Sequence, residues 1–330
     1  MAVVPRRPLL VTGMARAGTS WVGKMLEASG AFVYINEPLN PQHPPGQSPG
    51  ILLAPVPYQY LYIVEEEIAA TDYRAAFFDM LRFRYHTIDE LKQNHTPFEL
   101  LRLVKYWSSF AVGRLLGKRP MVDDPYSVLS AKWFIEQFGA QVVAVVRQPA
   151  ALVASYRRLG LAVDFRNLLQ QPTLMRDWLE PFRSEMEAMP EAPNDVIGRV
   201  CLLWRIIYHV VAQWQGRLPD FHVVQHEDLS TEPVRGFSQL YADLGLPFTR
   251  RVRDVVVRSS TGRSKERAHA WQFSRRGWLS RTAFRPMDSR ANLIAWTRRV
   301  TPDEVSRIRS LTKDVGSLFY TDQGWDSLFS

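Results

Sequence analysis

A three-layer α/β fold, a mainly parallel sheet between two layers of helices, is predicted by three observations. Short apolar runs alternate with helical stretches along the chain, the pattern of a parallel sheet with crossover helices. The run Gln141–Val146 is almost continuously β-branched, as a strand covered on both faces must be. The best strands each end in a polar or charged turn, and ligands of open α/β sheets bind at the carboxyl ends of strands.

Leu9–Thr12 is the first strand. It runs into Gly13-Met14-Ala15-Arg16-Ala17-Gly18-Thr19-Ser20, and Trp21, Val22, Met25 and Leu26 then recur at helical spacing up to Ser29. Gly30 reads as the stop of that helix. Phe32–Ile35 is a second strand, ending at Asn36-Glu37-Pro38. The proline- and glycine-rich stretch from Pro38 to Pro57 reads as a long loop of the lid or binding kind. Residues 60–118 read as helical. Met121-Val122 is a short strand before Asp123-Asp124-Pro125, and Ser130–Phe138 is a helix stopped by Gly139.

After Gln141–Val146 come Arg147-Gln148-Pro149 and a helix from Ala150 to Leu159, stopped by Gly160. Residues 195–215 form a long helix and Phe221–Gln225 a strand. His226-Glu227-Asp228 then leads to a helix from Pro233 to Leu244, with Glu227 and Asp228 read as capping and structural. The stretch 255–290 has little periodicity. Thr301, Pro302 and Glu304 start a last helix with a capping box. No repeat or low-complexity tract is present, and residues 1–330 read as a single domain.

Composition narrows the classes. The chain has 330 residues, 46% of them hydrophobic, with ten Trp and seventeen Phe, which excludes a disordered chain. The one cysteine, Cys201, can form no internal disulfide and no zinc or redox pair, so a reducing, cytoplasmic setting is expected. No targeting segment is visible. The most apolar stretch, Val200–Trp214, is interrupted by Arg205 and His209 and reads as a core helix. The formal net charge is +8. From Pro247 to Arg299 there are thirteen Arg and one Lys against three acids, a surface able to bind phosphate, sulfate or lipid headgroups.

The residues Gly13–Ser20 spell G-x-x-x-x-G-T-S after a strand and before a helix. This is the P-loop pattern with Thr19 where the lysine of a kinase or ATPase would stand. Glycines let the backbone wrap an anion, and the helix N-terminus offers it amides. Without the lysine, a single phosphate-like group is expected at this loop. Arg147 at the next strand end can grip a second phosphate through two N–H groups, and Ser155 follows two turns along the helix.

Together these residues resemble the family of sulfotransferases that use 3′-phosphoadenosine 5′-phosphosulfate (PAPS), in particular bacterial members acting on carbohydrates or small molecules. Ala15-Arg16-Ala17-Gly18-Thr19-Ser20-Trp21 is similar to the family's 5′-phosphosulfate loop, with Ala15 for its proline and Ala17 for its serine. Arg147-x-Pro149 with Ser155 is similar to its 3′-phosphate motif. Ser274-Arg275-Arg276-Gly277-Trp278 resembles the C-terminal loop that closes over the 3′-phosphate, and Arg290 competes for that place. The clearest matches are Leu9–Pro38, Val122–Gly160 and Val223–Pro233, and the tail from Asp288 to Trp325 also looks like bacterial members.

The resemblance implies a P-loop-like sheet and an in-line displacement resembling phosphoryl transfer. It also implies roles. Amides of Ala17, Gly18, Thr19 and Ser20 hold the 5′-phosphate, Trp21 lies near adenine, and Arg16 stabilises charge on the bridging oxygen. Arg147 and Ser155 hold the 3′-phosphate, with Arg275, Arg276 and Gly277 covering it. Glu37 takes the acceptor proton, as a glutamate does at this point in several branches of the family. Asp124 and His43 are the other candidate bases. The transferred group is less charged than a phosphoryl group, and the seven His show no metal spacing, so no metal is expected.

The acceptor is expected to be a hydroxyl of a carbohydrate, a lipid-linked glycan or another small molecule, with residues 38–62 on the acceptor side and 255–290 over the cofactor. Nucleic acid is not an expected partner, and the basic C-terminal stretch permits peripheral membrane contact. Two other readings stay open: a P-loop nucleotide kinase, and a non-catalytic protein that binds nucleotides or polyanions through the Arg-rich stretch.

Overall fold

The computed structural model describes residues 6–41, 52–66, 70–189, 194–260, 289–321 and Trp325. Five strands form one sheet: β1 (Leu9–Gly13), β2 (Phe32–Asn36), β3 (Arg119–Asp123), β4 (Gln141–Val146) and β5 (Phe221–Gln225). Their order is β2-β3-β1-β4-β5 and every neighbouring pair is parallel.

Side chains alternate across the sheet with the two-residue period of a strand. Leu10, Val142, Ala144 and Val146 enter one core, while Leu9, Val11, Val143 and Val145 enter the other. The second core is closed by α1 (Thr19–Glu27) and later helices through Val22, Met25, Leu26, Phe237 and Val252. The first is closed by α2 (Ala70–Leu81), by a helix pair α3 (Thr87–Gln93) and α4 (Pro97–Leu115) of which α4 contributes Phe110, and by α5 (Ala131–Phe138) and α6 (Pro149–Leu159). The three-layer α/β expectation therefore stands, for the reason the strand pattern stated.

Residues 60–118 are not one helical stretch. Residues 52–66 are non-helical, and α2, α3 and α4 are separated by turns at 82–86 and 94–96. Tyr60, Leu61, Tyr62 and Ile63 are buried in the first core, so apolar spacing there reported burial and not helix. Asp124 starts a 3-10 turn over Pro125–Ser130, which delays α5 to Ala131. Short segments follow: α7 (Arg166–Leu169), α8 (Pro172–Leu174), a π turn at Met175–Leu179 and α9 (Arg183–Ala188).

The long helix α10 (Val196–Trp214) passes by length and composition as a membrane span, yet most of it is buried under the sheet. Arg205 emerges from it to pair with Glu185 and Asp314 at 2.5 and 2.8 Å. The remaining helices are α11 (His226–Thr231), α12 (Pro233–Asp243), α13 (Arg250–Ser260), α14 (Ser289–Ile294) and α15 (Pro302–Gly316). Residues 255–260, read as aperiodic, are the last turns of α13, where Val252 and Val256 bury one face. In α15 the expected capping box forms, Thr301 Oγ1 accepting from the Glu304 amide and Glu304 accepting from the Thr301 amide.

Candidate active site

From β1 the chain crosses to β2 and returns to β3; from β4 it leaves the other way, to β5. Loops therefore diverge at the carboxyl ends of β1 and β4, the crevice where open α/β sheets bind ligands. Gly13 and Val145 are paired there, and a Cβ on Gly13 would lie 2.4 Å from the Val145 carbonyl oxygen. The first glycine of the loop is thus demanded by the neighbouring strand.

The loop from Gly13 to Gly18 partly satisfies itself. The Ala17 amide donates to the Met14 carbonyl at 2.9 Å, so it belongs to the loop's own turn. The Ala15 amide donates to Tyr60 Oη at 3.1 Å, and the Met14 amide to Tyr208 Oη at 3.4 Å. What remains for a ligand are the amides of Gly18, Thr19 and Ser20, at the head of α1, where no preceding helical turn supplies acceptors. No side chain caps α1 and no acid stands in its first turn. Gly18 has φ +106°, and a Cβ there would meet the buried His226 ring at 2.5 Å. Trp21 packs beside it, 5.4 Å from His226 and 5.2 Å from Phe237 between ring centroids.

The two sequence motifs converge. Arg147 Nη1 donates to the Arg16 carbonyl at 3.1 Å, and Arg16 Nε donates to Ser155 Oγ at 3.4 Å. Burial depresses the pKa of both guanidiniums; desolvation is the first cause in each, followed for Arg16 by the charge of Arg158. Both stay charged, since a guanidinium keeps its proton in proteins even when buried. Arg147 Nε is buried and has no hydrogen-bond partner among the described residues. Buried cations and an orphaned buried donor beside uncapped helix amides form an anion site.

Arg147 is held from behind. Trp204 Nε1 donates to its carbonyl at 2.8 Å. The buried carboxylate of Glu227, pushed up by desolvation, supports the guanidinium's charge and accepts from the Gln148 amide at 3.0 Å and from Tyr320 Oη at 3.0 Å. Glu227 is thus structural, as expected, and it ties the chain after α15 to the Arg147 side of the crevice.

Glu37 sits one residue past β2, its amide donating to the Asp123 carbonyl at 2.9 Å and its Oε2 accepting from Asn40 Nδ2 at 2.7 Å. Its charge reaches Arg16, Asp123, Asp124 and Tyr126. Of the five non-glycine residues in left-handed backbone among the described residues, Arg16, Glu37 and Tyr60 (φ 75°, 47° and 57°) lie at this end of the sheet, while Phe83 and Asp220 lie away from it.

Asp124 is fully buried and its carboxylate accepts from the Leu39 amide at 2.6 Å and the Tyr126 amide at 2.8 Å. It is pushed up to about 7 by burial and then by Glu37, and Asp123 up to about 6 by burial, against which the Tyr34 hydroxyl acts.

Ala17, Gly18, Thr19, Ser20, Trp21, Arg16, Arg147, Ser155 and Glu37 are therefore brought to one end of the sheet. His43, Arg275, Arg276 and Gly277 lie outside the described residues. Arg290 lies in α14, and its side chain also falls outside them. The sequence reading missed Tyr60 and Tyr208, which hold the loop from below. Tyr60 was assigned to the acceptor-side stretch, and its burial with Tyr62 makes that part of the stretch a support for the loop. Among the described residues no group of three or more His, Cys, Asp or Glu is placed to hold a metal.

No family model and no curated protein matches the chain. Among solved structures it is similar to the sulfotransferase domain from the curacin biosynthetic pathway, at 15% identity over 93% of this chain and 97% of that one, with a TM-score of 0.47. It is also similar to sulfotransferase STF9 from Mycobacterium avium, at 14% identity over 96% of this chain and 78% of that one, TM-score 0.44. A third is the sulfotransferase domain of the Synechococcus PCC 7002 olefin synthase, at 14% identity over 96% of each chain, TM-score 0.44. At such values they establish no activity, and the argument for one rests on the residues of the crevice.

Proposed function

We propose that the chain is a PAPS-dependent sulfotransferase that transfers a sulfuryl group to a hydroxyl of a small-molecule, carbohydrate or lipid-linked acceptor. The observation that carries this reading is the meeting of Arg16, Arg147 and Ser155 at the β1/β4 crevice, beside the uncapped head of α1. The donor set fits a ligand with two separate anionic groups, because the α1 amides and the Arg147–Ser155 pair are distinct anchors on different strands' loops.

When bound, the donor would supply an activated sulfuryl group on its 5′-phosphate. The amides of Gly18, Thr19 and Ser20 hold that phosphate, and Arg147 and Ser155 hold the 3′-phosphate that distinguishes PAPS from ATP. Arg16 carries the charge that builds on the leaving oxygen. Glu37 accepts the acceptor's proton; its nearness to Arg16 in charge supports this choice. Asp124 fits the part of base less well, since backbone amides already engage its buried carboxylate. We place the activity in the cytoplasm on the strength of the single buried cysteine.

Calorimetry with PAPS, 3′-phosphoadenosine 5′-phosphate and ATP tests the reading. The expected result is micromolar binding of the first two, weaker binding of ATP, and a loss of roughly tenfold or more in Arg147→Ala, partly restored in Arg147→Lys. ATP binding as tightly as PAPS would overturn it.

A further inference from the structure

Among the described residues the outer face of α3 and α4 is apolar and uncovered. Along α4, Leu101, Val104, Trp107 and Leu115 follow one another at helical spacing and are all exposed, from 50% at Trp107 to 84% at Leu115. The opposite face, with Leu103, Phe110 and Gly113, packs on the protein, where a Cβ at Gly113 would collide with Val33 at 2.3 Å. The helix therefore has two apolar faces, only one of which the described residues cover. On the neighbouring helix α3, Ile88 is also 72% exposed. Scattered exposed leucines are ordinary, but a contiguous stripe of this kind marks an interaction surface.

Charge decides the occupant. Arg102 is buried on the packed face, so the outer side of segment 97–118 carries Lys105, Arg114 and Lys118 against one acid, Glu99, while in α3 Lys92 is paired with Asp89 and Glu90 is buried. Glu99 is already committed to the cap of α4, accepting from the His95 and Thr96 amides at 2.8 and 2.9 Å. Arg114 is exposed and has no acidic partner among the described residues. Leu and Trp on one face with Arg and Lys at its margins are the marks of a helix lying in a membrane interface. A second copy is a poorer match, because two-fold pairing sets the same cationic patch against itself.

We propose that the outer face of α3–α4 is a docking surface for an anionic lipid bilayer, with Trp107 and its neighbouring leucines in the headgroup boundary and Arg114 and Lys118 on the anionic headgroups. The proposal is independent of the proposed activity.

The test is flotation of the full chain with vesicles of phosphatidylcholine alone and of phosphatidylcholine with 30% phosphatidylserine. Binding is expected only with phosphatidylserine, weakened by 0.5 M salt. Roughly fivefold should be lost in Arg114→Gln, and roughly tenfold or more in Trp107→Ala and in Val104→Asp. The helical circular dichroism and unfolding midpoint of each variant separate lost docking from lost folding; Arg114→Gln, at an exposed position, serves if the others do not fold. No flotation, or flotation unchanged in all three variants, overturns the proposal. So does a stable homodimer in sedimentation velocity that Val104→Asp dissociates, since the face would then belong to a second copy.

Discussion

Replacing Gly13 with alanine should destabilise the protein and disorganise both anchors at once. The new Cβ would lie 2.4 Å from the Val145 carbonyl oxygen and 3.3 Å from its carbonyl carbon. Those are backbone atoms of the paired central strand and cannot swing away as a side chain would. Overpacking of this kind costs about 1–3 kcal/mol. The backbone also stands at φ +148°, and left-handed strain in a non-glycine residue adds about 1–2 kcal/mol. A loss of about 2–5 kcal/mol is a large part of the ~5–15 kcal/mol that holds a domain together.

Gly160 is the control. It too has a positive φ, +61°, but nothing lies within 4 Å of its missing Cβ. Gly160→Ala should therefore show the backbone strain alone. Urea unfolding at pH 7 measures both. Gly13→Ala should lie at least 1 kcal/mol below Gly160→Ala, and its PAPS binding should fall further than its stability, because Val145 is two residues from Arg147 and Gly13 three from Arg16. Equal midpoints for the two variants would refute the claim that strand packing demands Gly13.

Two further outcomes follow from the site. Glu37→Gln keeps the carbonyl that accepts from Asn40, so it should leave donor binding within about twofold while lowering kcat by roughly 10²–10⁴, read as sulfated product in an acceptor screen with labelled PAPS; unchanged kcat would transfer the proton to another group. Asp123 and Asp124 have folded pKa values raised to about 6 and about 7, so between the unfolded carboxylate value near 4 and those values the folded state holds the extra protons. Stability should consequently fall as pH rises through this window, by up to roughly 1.4 kcal/mol per pH unit per group, and Asp124→Asn should flatten the slope in urea unfolding between pH 4.5 and 7.5; an unaltered slope would mean that Asp124 keeps its proton or its charge throughout.

The strands and the ligand end of the sheet were legible in the sequence because both are local signals. A parallel strand covered on two faces must be a short apolar run, and alternation of strand and helix dictates right-handed parallel crossovers, so Leu9–Thr12 and Gln141–Val146 could be placed directly. Gly13 and Gly18 announced a loop that needs unusual backbone, and Arg147 announced a cation at a strand end. Residues 60–118 misled because a buried loop and a helix can share the same apolar spacing. Tyr60 is in the core at φ 57° because its hydroxyl receives the Ala15 amide, a partner 45 positions away that no local pattern reveals.

The apolar outer face of α4 was hidden for a related reason. Leu101 and Leu103 are equally apolar in sequence, and only the packing of Gly113 against Val33 decides which of them is buried. The sequence by itself determined the layers, the glycine loop after β1 and the two arginines, since these follow from period, glycine and charge. Tertiary structure alone decided that Arg147 reaches the Arg16 carbonyl, that Glu227 and Tyr320 stand behind it, and that Glu37 shares a field with Arg16. Those contacts join residues up to 131 positions apart, and their distances are set by the order of the strands, which no single segment of the chain encodes.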